Sequence, residues 1–206
     1  MSSPPGKIRI VAGEKRGHRI RVPSSNVSGG ASAFEVRPTS ERIREAIFSA
    51  LGPVADLRVL DLFAGTGAMG LEALSRGAKH CVFVESHPQV ASVIQKNVAT
   101  LGYESLSQVL TMDYLAAISH LQRKNLSFEL LFLDPPYRML SVVAAKLIPK
   151  MSHLLTENGA IVIEGHKEAQ NFFPKRPIFD RVYGDTRVTM ITMNDERTIC
   201  YGRQNL

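Results

Sequence analysis

The chain has 206 residues, 44% of them hydrophobic and 21% charged, which is the composition of one medium globular domain, or one domain with a small appendage, and not of a disordered chain. Lysine and arginine number 25 against 19 acidic residues, and the whole excess of +6 lies in residues 1–44, which hold nine basic and three acidic residues. No apolar run approaches the roughly 18–20 residues of a membrane span, the N-terminus lacks the apolar core of a secretory signal, and the two cysteines, Cys81 and Cys200, lie too far apart for a disulfide framework.

A basic segment beside a neutral body is the footprint of a polyanion ligand, with a merely solvated surface as the plain alternative. Its first part alternates: Ile8 and Ile10 flank Arg9, and Ile20 and Val22 flank Arg21. Runs at 8–11 and 18–22 around Glu14-Lys15-Arg16-Gly17 predict a β-hairpin with one apolar and one basic face. The Ser/Gly-rich stretch at 24–35 predicts a flexible connector. An arm at 1–36 and a body at 37–206 follow.

Thr39 or Ser40 offers an N-cap for a helix whose apolar face is Ile43, Ala46, Ile47, Ala50 and Leu51. Arg42 and Arg44 fall off that face. Gly52-Pro53 ends the helix. The body then alternates strands at 58–63, 80–85, 107–111, 128–133 and 160–164 with helices near 68–76, 88–101, 114–122, 140–154 and 167–173. Val82-Phe83-Val84, Leu130-Leu131-Phe132-Leu133 and Ile161-Val162-Ile163 are continuous apolar runs, as strands buried on both faces require. Gly184-Asp185 between 181–183 and 187–193 is a hairpin turn signal. The expected fold is α/β, Rossmann-like, with a mostly parallel seven-stranded sheet closed by a C-terminal antiparallel hairpin and preceded by the basic hairpin.

A glycine loop follows the first body strand. Gly65, Gly67 and Gly70 spell G-x-G-x-x-G at a strand–turn–helix junction, and Glu85 ends the next strand twenty residues on. Glycines admit a ligand close to the backbone, and a carboxylate at Glu85 suits two ribose hydroxyls. Both dinucleotide and S-adenosylmethionine enzymes use this arrangement, and a tight turn in an α/β sheet is the bland reading. Asp61, just before the loop, favours S-adenosylmethionine, because it repels a pyrophosphate and attracts a sulfonium and an ammonium. Asp113 after the third strand is placed either for an adenine amino group or as an N-cap. Phe63 lines the methionine pocket or packs in the core, and Thr66 completes the loop.

Asp134-Pro135-Pro136-Tyr137 follows the fourth strand and therefore lies beside the glycine loop at the carboxyl edge of the sheet. The prolines fix φ and remove two N–H donors, leaving the Asp134 carboxylate and the Pro135 carbonyl as rigid acceptors. Two acceptors held against an exocyclic amine localise its lone pair for attack on a methyl carbon, while Tyr137 offers a face for a flipped base.

With the Asp-Leu-Phe-Ala-Gly-Thr-Gly loop, this motif resembles the amino-group methyltransferases. Arg9-Ile10-Val11-Ala12-Gly13, Arg37-Pro38-Thr39-Ser40-Glu41-Arg42, Gly70-Leu71-Glu72-Ala73-Leu74 and Tyr183-Gly184-Asp185-Thr186-Arg187 narrow the resemblance to the RsmD family, from about residue 8 to 193. The resemblance implies methylation of guanine N2 in 16S ribosomal RNA within the 30S particle, with S-adenosylmethionine as donor. It assigns the target base to Asp134, Pro135, Pro136 and Tyr137. The cofactor falls to Asp61, Phe63, Gly65, Thr66, Gly67, Glu85 and Asp113, and the RNA backbone to Arg9, Lys15, Arg16, Arg19, Arg37 and Arg42. Removal of the arm at 1–36 is then expected to leave cofactor binding intact and to abolish RNA methylation. The connector at 24–35 and the tail after Asp195 depart from the family pattern.

The six histidines have no ligand spacing, so no metal is expected. A cytoplasmic monomer is expected. The rival readings are a DNA adenine-N6 methyltransferase, an NAD-dependent oxidoreductase and a non-catalytic RNA-binding protein. The first lacks room for a DNA-recognition domain, the second leaves Asp134 and Tyr137 unexplained, and the third leaves the acids and glycines without purpose.

Overall fold

A computed structural model describes residues 8–23, 39–169 and 176–194. The connector at 24–35, the expected boundary after residue 36, Arg37 and the tail after Asp195 lie outside the described residues. Of the helix expected at 167–173, only the start is described, and it is a turn.

Strands β1 (Ile8–Arg9) and β2 (Arg19–Ile20) form the N-terminal hairpin, pairing Ile8 with Ile20 and Arg9 with Arg19. Helix α1 (Glu41–Leu51) follows. The body runs β3 (Arg58–Asp61), α2 (Ala68–Ser75), β4 (His80–Glu85), α3 (Pro88–Leu101), β5 (Ser107–Thr111), α4 (Tyr114–Arg123) and β6 (Phe128–Leu133). It continues through α5 (Leu140–Leu147), α6 (Met151–Leu154), β7 (Leu155–His166), β8 (Phe179–Tyr183) and β9 (Thr186–Thr192). The strand order is β5-β4-β3-β6-β7-β9-β8. Strands β3 to β7 are mutually parallel, and β9 runs antiparallel to both β7 and β8. The order reverses between β3 and β6, so the crevice beyond their carboxyl ends is where a ligand is accommodated.

Each face of the sheet carries its own apolar layer, because parallel strands are buried on both sides. One layer joins Val59, Phe83, Leu130, Phe132 and Val162 to α1, α2 and α3. The other joins Leu60, Leu131 and Ile161 to α4, α5 and α6. The hairpin belongs to the first layer: Ile8, Ile10 and Ile20 are buried in the same cluster as Ile47, Phe48 and Leu71.

Several expectations change in detail: β3 ends at Asp61 and not at residue 63, and the hairpin strands are shorter than the runs at 8–11 and 18–22. The helix expected over 140–154 breaks into α5, a 3-10 turn at Ile148–Lys150 and α6, because Pro149 cannot donate a backbone hydrogen bond. Strand β7 begins earlier than 160, since its polar start crosses a bulge to pair Leu155 with Phe128. Arg44 is not on the solvent side of α1: it is 0% exposed. Its Nη1 donates to the Thr39 carbonyl at 2.6 Å and its Nη2 to the Arg9 carbonyl at 2.6 Å. The hairpin covers it, and the apolar face of α1 is completed by Phe48 instead of Ala46.

Candidate active site

Strand β3 delivers Asp61 to the carboxyl edge, and the chain turns at once into α2. Gly67, the N-cap of α2, is left-handed at φ 78°, a conformation glycine adopts without strain. Gly70 serves packing: a Cβ there would stand 2.3 Å from the Phe83 ring, so α2 lies directly on β4. This close seat lets the buried Asp61 carboxylate accept from the Gly70 N–H at 3.1 Å. Burial pushes the Asp61 carboxyl up to about 7, opposed by that hydrogen bond and reinforced by Asp134 and Glu85.

Glu85 ends β4 with both oxygens anchored. One accepts from Gly65 N at 3.1 Å and the other from His87 N at 2.8 Å. Burial still raises its pKa against these bonds. Asp113 follows β5 and caps α4, accepting from Leu115 N at 2.8 Å. Phe63 rests on Tyr114 with ring centroids 5.2 Å apart. Thr66 is buried between the two loop glycines. Asp61, Phe63, Gly65, Thr66, Gly67, Glu85 and Asp113 thus stand at the ends of three neighbouring strands, β3, β4 and β5.

Beside them, Asp134 leaves β6, the other neighbour of β3. Pro136 is extended and caps a single 3-10 turn over Tyr137–Met139, whose Met139 N–H donates to the Pro136 carbonyl at 2.7 Å. Tyr137 is 39% exposed. Its ring meets His166 edge-on at 5.7 Å, and its hydroxyl lies 3.5 Å from Thr186 Oγ1. Burial lifts the Asp134 carboxyl to about 7.

Glu164 is part of this site and was not singled out from the sequence. Leu133 pairs with Ile163, so the next residues, Asp134 and Glu164, are neighbours on adjacent strands. Glu164 is 4% exposed and accepts from the Thr39 hydroxyl at 2.9 Å. Burial and then the Asp134 charge hold its carboxyl well above the usual range. The one available signal was a carboxylate closing the apolar run at 161–163 beside the strand that carries Asp134. Asp61, Asp134 and Glu164 share strand parity with Val59, Phe132 and Val162, so the three carboxylates continue one face of the sheet.

This donor set tests what ligand fits. The glycine loop, residues 65–70, contains no lysine or arginine, while Asp61 and Glu85 flank it and Asp134 stands close enough to raise the Asp61 pKa. A pyrophosphate would meet repulsion there. A cationic group would relieve the carboxylates' mutual repulsion, and Glu85 keeps lone pairs beyond its two backbone bonds for hydroxyl donors. The residues therefore fit S-adenosylmethionine.

The basic residues divide. Arg16 and Arg19 are exposed, and Arg42 lies at the start of α1. Arg9 is tied to Glu41 with Nε–O distances of 3.1 and 3.0 Å. Lys15 is half-buried with its Nζ 5.7 Å from the Tyr103 ring centroid. Arg9 and Arg19 are cross-strand partners, a like-charge pairing that an anion would relieve.

The glycine loop, the acid at the end of the second strand, the Asp-Pro-Pro-Tyr segment and the seven-stranded sheet define an S-adenosylmethionine-dependent methyltransferase of Rossmann-like fold. The chain belongs to the RsmD family: the family described as "Conserved hypothetical protein 95" matches residues 8–192. "Ribosomal RNA small subunit methyltransferase D" of Escherichia coli K12 is 36% identical over 177 residues, 84% of this chain and 80% of that protein. A hypothetical protein of Thermus thermophilus superposes with a TM-score of 0.74 at 29% identity, covering 89% of this chain and 98% of that one. An RNA methyltransferase from Salinibacter ruber, solved with S-adenosyl-L-homocysteine, shares the fold with a TM-score of 0.61 at 16% identity, covering 80% and 99%.

Proposed function

We propose that this protein methylates the exocyclic N2 amine of a guanine in 16S ribosomal RNA, acting on the 30S particle with S-adenosylmethionine as donor. One observation carries the chemistry: Asp134 and the two prolines stand at the end of β6, directly beside the carboxylate-flanked glycine loop at the end of β3. The relative named above is a small-subunit ribosomal RNA methyltransferase, which supports the substrate class and lends nothing to the DNA adenine alternative.

The cofactor, when bound, supplies an activated methyl group on a sulfonium. Asp61 and Glu85 would hold its cationic and ribose ends, Gly65, Thr66 and Gly67 would line its path, and Phe63 and Asp113 would border the far end. The chain's own contribution to the transfer is position and electrostatics. Asp134 and the Pro135 carbonyl accept the amine N–H groups and orient its lone pair, and Pro136 keeps that segment rigid. Tyr137 stacks on the base, with His166 buttressing its ring. Arg9, Lys15, Arg16, Arg19, Arg37 and Arg42 meet the RNA backbone. We further propose a cytoplasmic monomer; no helix among the described residues is long and apolar enough to cross a membrane.

The test is methyl transfer to 30S particles from cells lacking this activity, followed by identification of the modified nucleoside. N2-methylguanosine is expected. Incorporation at an adenine, or none, would refute the assignment.

A further inference from the structure

One buried side chain joins the basic hairpin to the glycine loop. Asn97 belongs to α3, whose buried face is otherwise Val90, Ala91, Ile94, Val98 and Leu101. It is 2% exposed, and a polar group in such a place is costly unless fully bonded. Its bonds are specific. Oδ1 accepts from Arg21 N at 2.8 Å, and Nδ2 donates to Arg21 O at 3.0 Å and to Thr66 O at 3.2 Å. The amide orientation follows from its surroundings, because two carbonyls require the nitrogen and one N–H requires the oxygen.

The partners lie at both working ends of the molecule. Thr66 sits between Gly65 and Gly67, and its carbonyl belongs to the Thr66–Gly67 peptide, a planar unit whose orientation Asn97 therefore fixes. Arg21 directly follows β2, its backbone held by Asn97 while the residue as a whole is exposed. The same residue offers its charge outward and its peptide inward. Apolar packing alone would not need this: the hairpin's Ile8, Ile10 and Ile20 already seat it on the core.

We propose that Asn97 is a positioning residue that couples the RNA-facing hairpin to the cofactor loop, so that a ligand in the loop steadies the hairpin and RNA on the hairpin fixes the loop. This rests on the functions assigned above to loop and hairpin. Coupling free energies between sites are reciprocal and commonly correspond to roughly five- to 150-fold changes in affinity.

The test is amide hydrogen exchange on the full chain with and without S-adenosylhomocysteine, in wild type and in Asn97→Asp and Asn97→Ala. Asn97→Asp keeps the acceptor for Arg21 N and replaces the donors facing two carbonyls. In wild type, ligand is expected to slow exchange about tenfold at residues 19–22 as well as in the loop. In both variants the loop slows and residues 19–22 do not. Protection of the loop with unchanged exchange at 19–22 in wild type would overturn the coupling alone, and needs no variant to fold. Absence of any S-adenosylhomocysteine binding to wild type would overturn the reading of the loop, and this proposal with it. A second readout is the cofactor Kd with and without 30S particles: the difference seen in wild type is expected to vanish in Asn97→Asp, and its persistence would refute the role.

Discussion

Asp61, Asp134 and Glu164 repel one another in the ligand-free protein, and their protonation is the clearest residue-scale property of the site. Unfolded aspartates titrate near about 4, whereas burial places Asp61 and Asp134 at about 7. The folded state then binds protons more tightly than the unfolded chain. The stability these groups contribute is fully present below about pH 4 and is lost as pH rises through about 7. Asp180, held below the usual range by the Arg187 guanidinium, titrates beneath that window. The ligand-free protein is expected to melt at progressively lower temperature from about pH 5 to 7 and to level off above that, and a flat or rising Tm across that interval would contradict the burial argument. A cationic cofactor favours ionised Asp61, so calorimetric affinity should improve as pH rises over the same range, and Asp61→Asn should flatten that slope. Asp134→Ala is expected to lower kcat on 30S particles by about a hundredfold or more while changing cofactor Kd little, the signature of a contact made in the transition state. Asp134 was legible because two prolines and a tyrosine mark it. Glu164 was not, because only strand register reveals that it faces Asp134.

At the scale of elements, the hairpin is built into the body by a charge that looks ordinary on a helical wheel. Glu72 of α2 is 0% exposed. Its carboxylate accepts from Val11 N at 2.7 Å, Ala12 N at 2.9 Å and Arg76 Nε at 2.8 Å, with Arg44 Nε 4.0 Å away. Removing one side of a buried charged set leaves the others uncompensated, so Glu72→Ala is expected to cost about 3–5 kcal/mol in urea unfolding. A loss under about 1 kcal/mol would mean that water reaches the pocket. The same contacts predict that truncation of residues 1–36 lowers stability and, with it, cofactor binding. Strands β4 and β6 and helix α3 were legible to their ends, since continuous apolar runs, Pro88 and Gly102 mark them locally. The burial of Arg44 and Glu72 was not, because the segment that covers them lies far away in the sequence and carries no complementary signature of its own.

The whole molecule divides its labour by charge. The +6 excess sits in the first fifth of the chain, and Arg16, Arg19 and Arg21 display part of it to solvent. Each arginine that meets a phosphate contributes to the salt dependence of RNA binding. The double variant Arg16→Ala/Arg19→Ala is expected to weaken 30S binding and reduce the log–log salt slope by about one per lost contact. Cofactor affinity should stay constant, and an unchanged slope would remove the hairpin from the RNA interface. The docking of this hairpin also orders events in time. Residues 8–22 leave the ribosome before α2 and α3, yet Ala12 waits for Glu72, 60 residues later, and Arg21 for Asn97, 76 residues later. Such distant partners make closure of the hairpin a late step of folding. A nascent chain carries the positive charge early but acquires its arrangement only after α2 and α3 exist, the two helices that bracket the glycine loop. The basic hairpin and the glycine loop thereby share the elements that complete them, α2 with Glu72 and α3 with Asn97, and reach their final arrangement together.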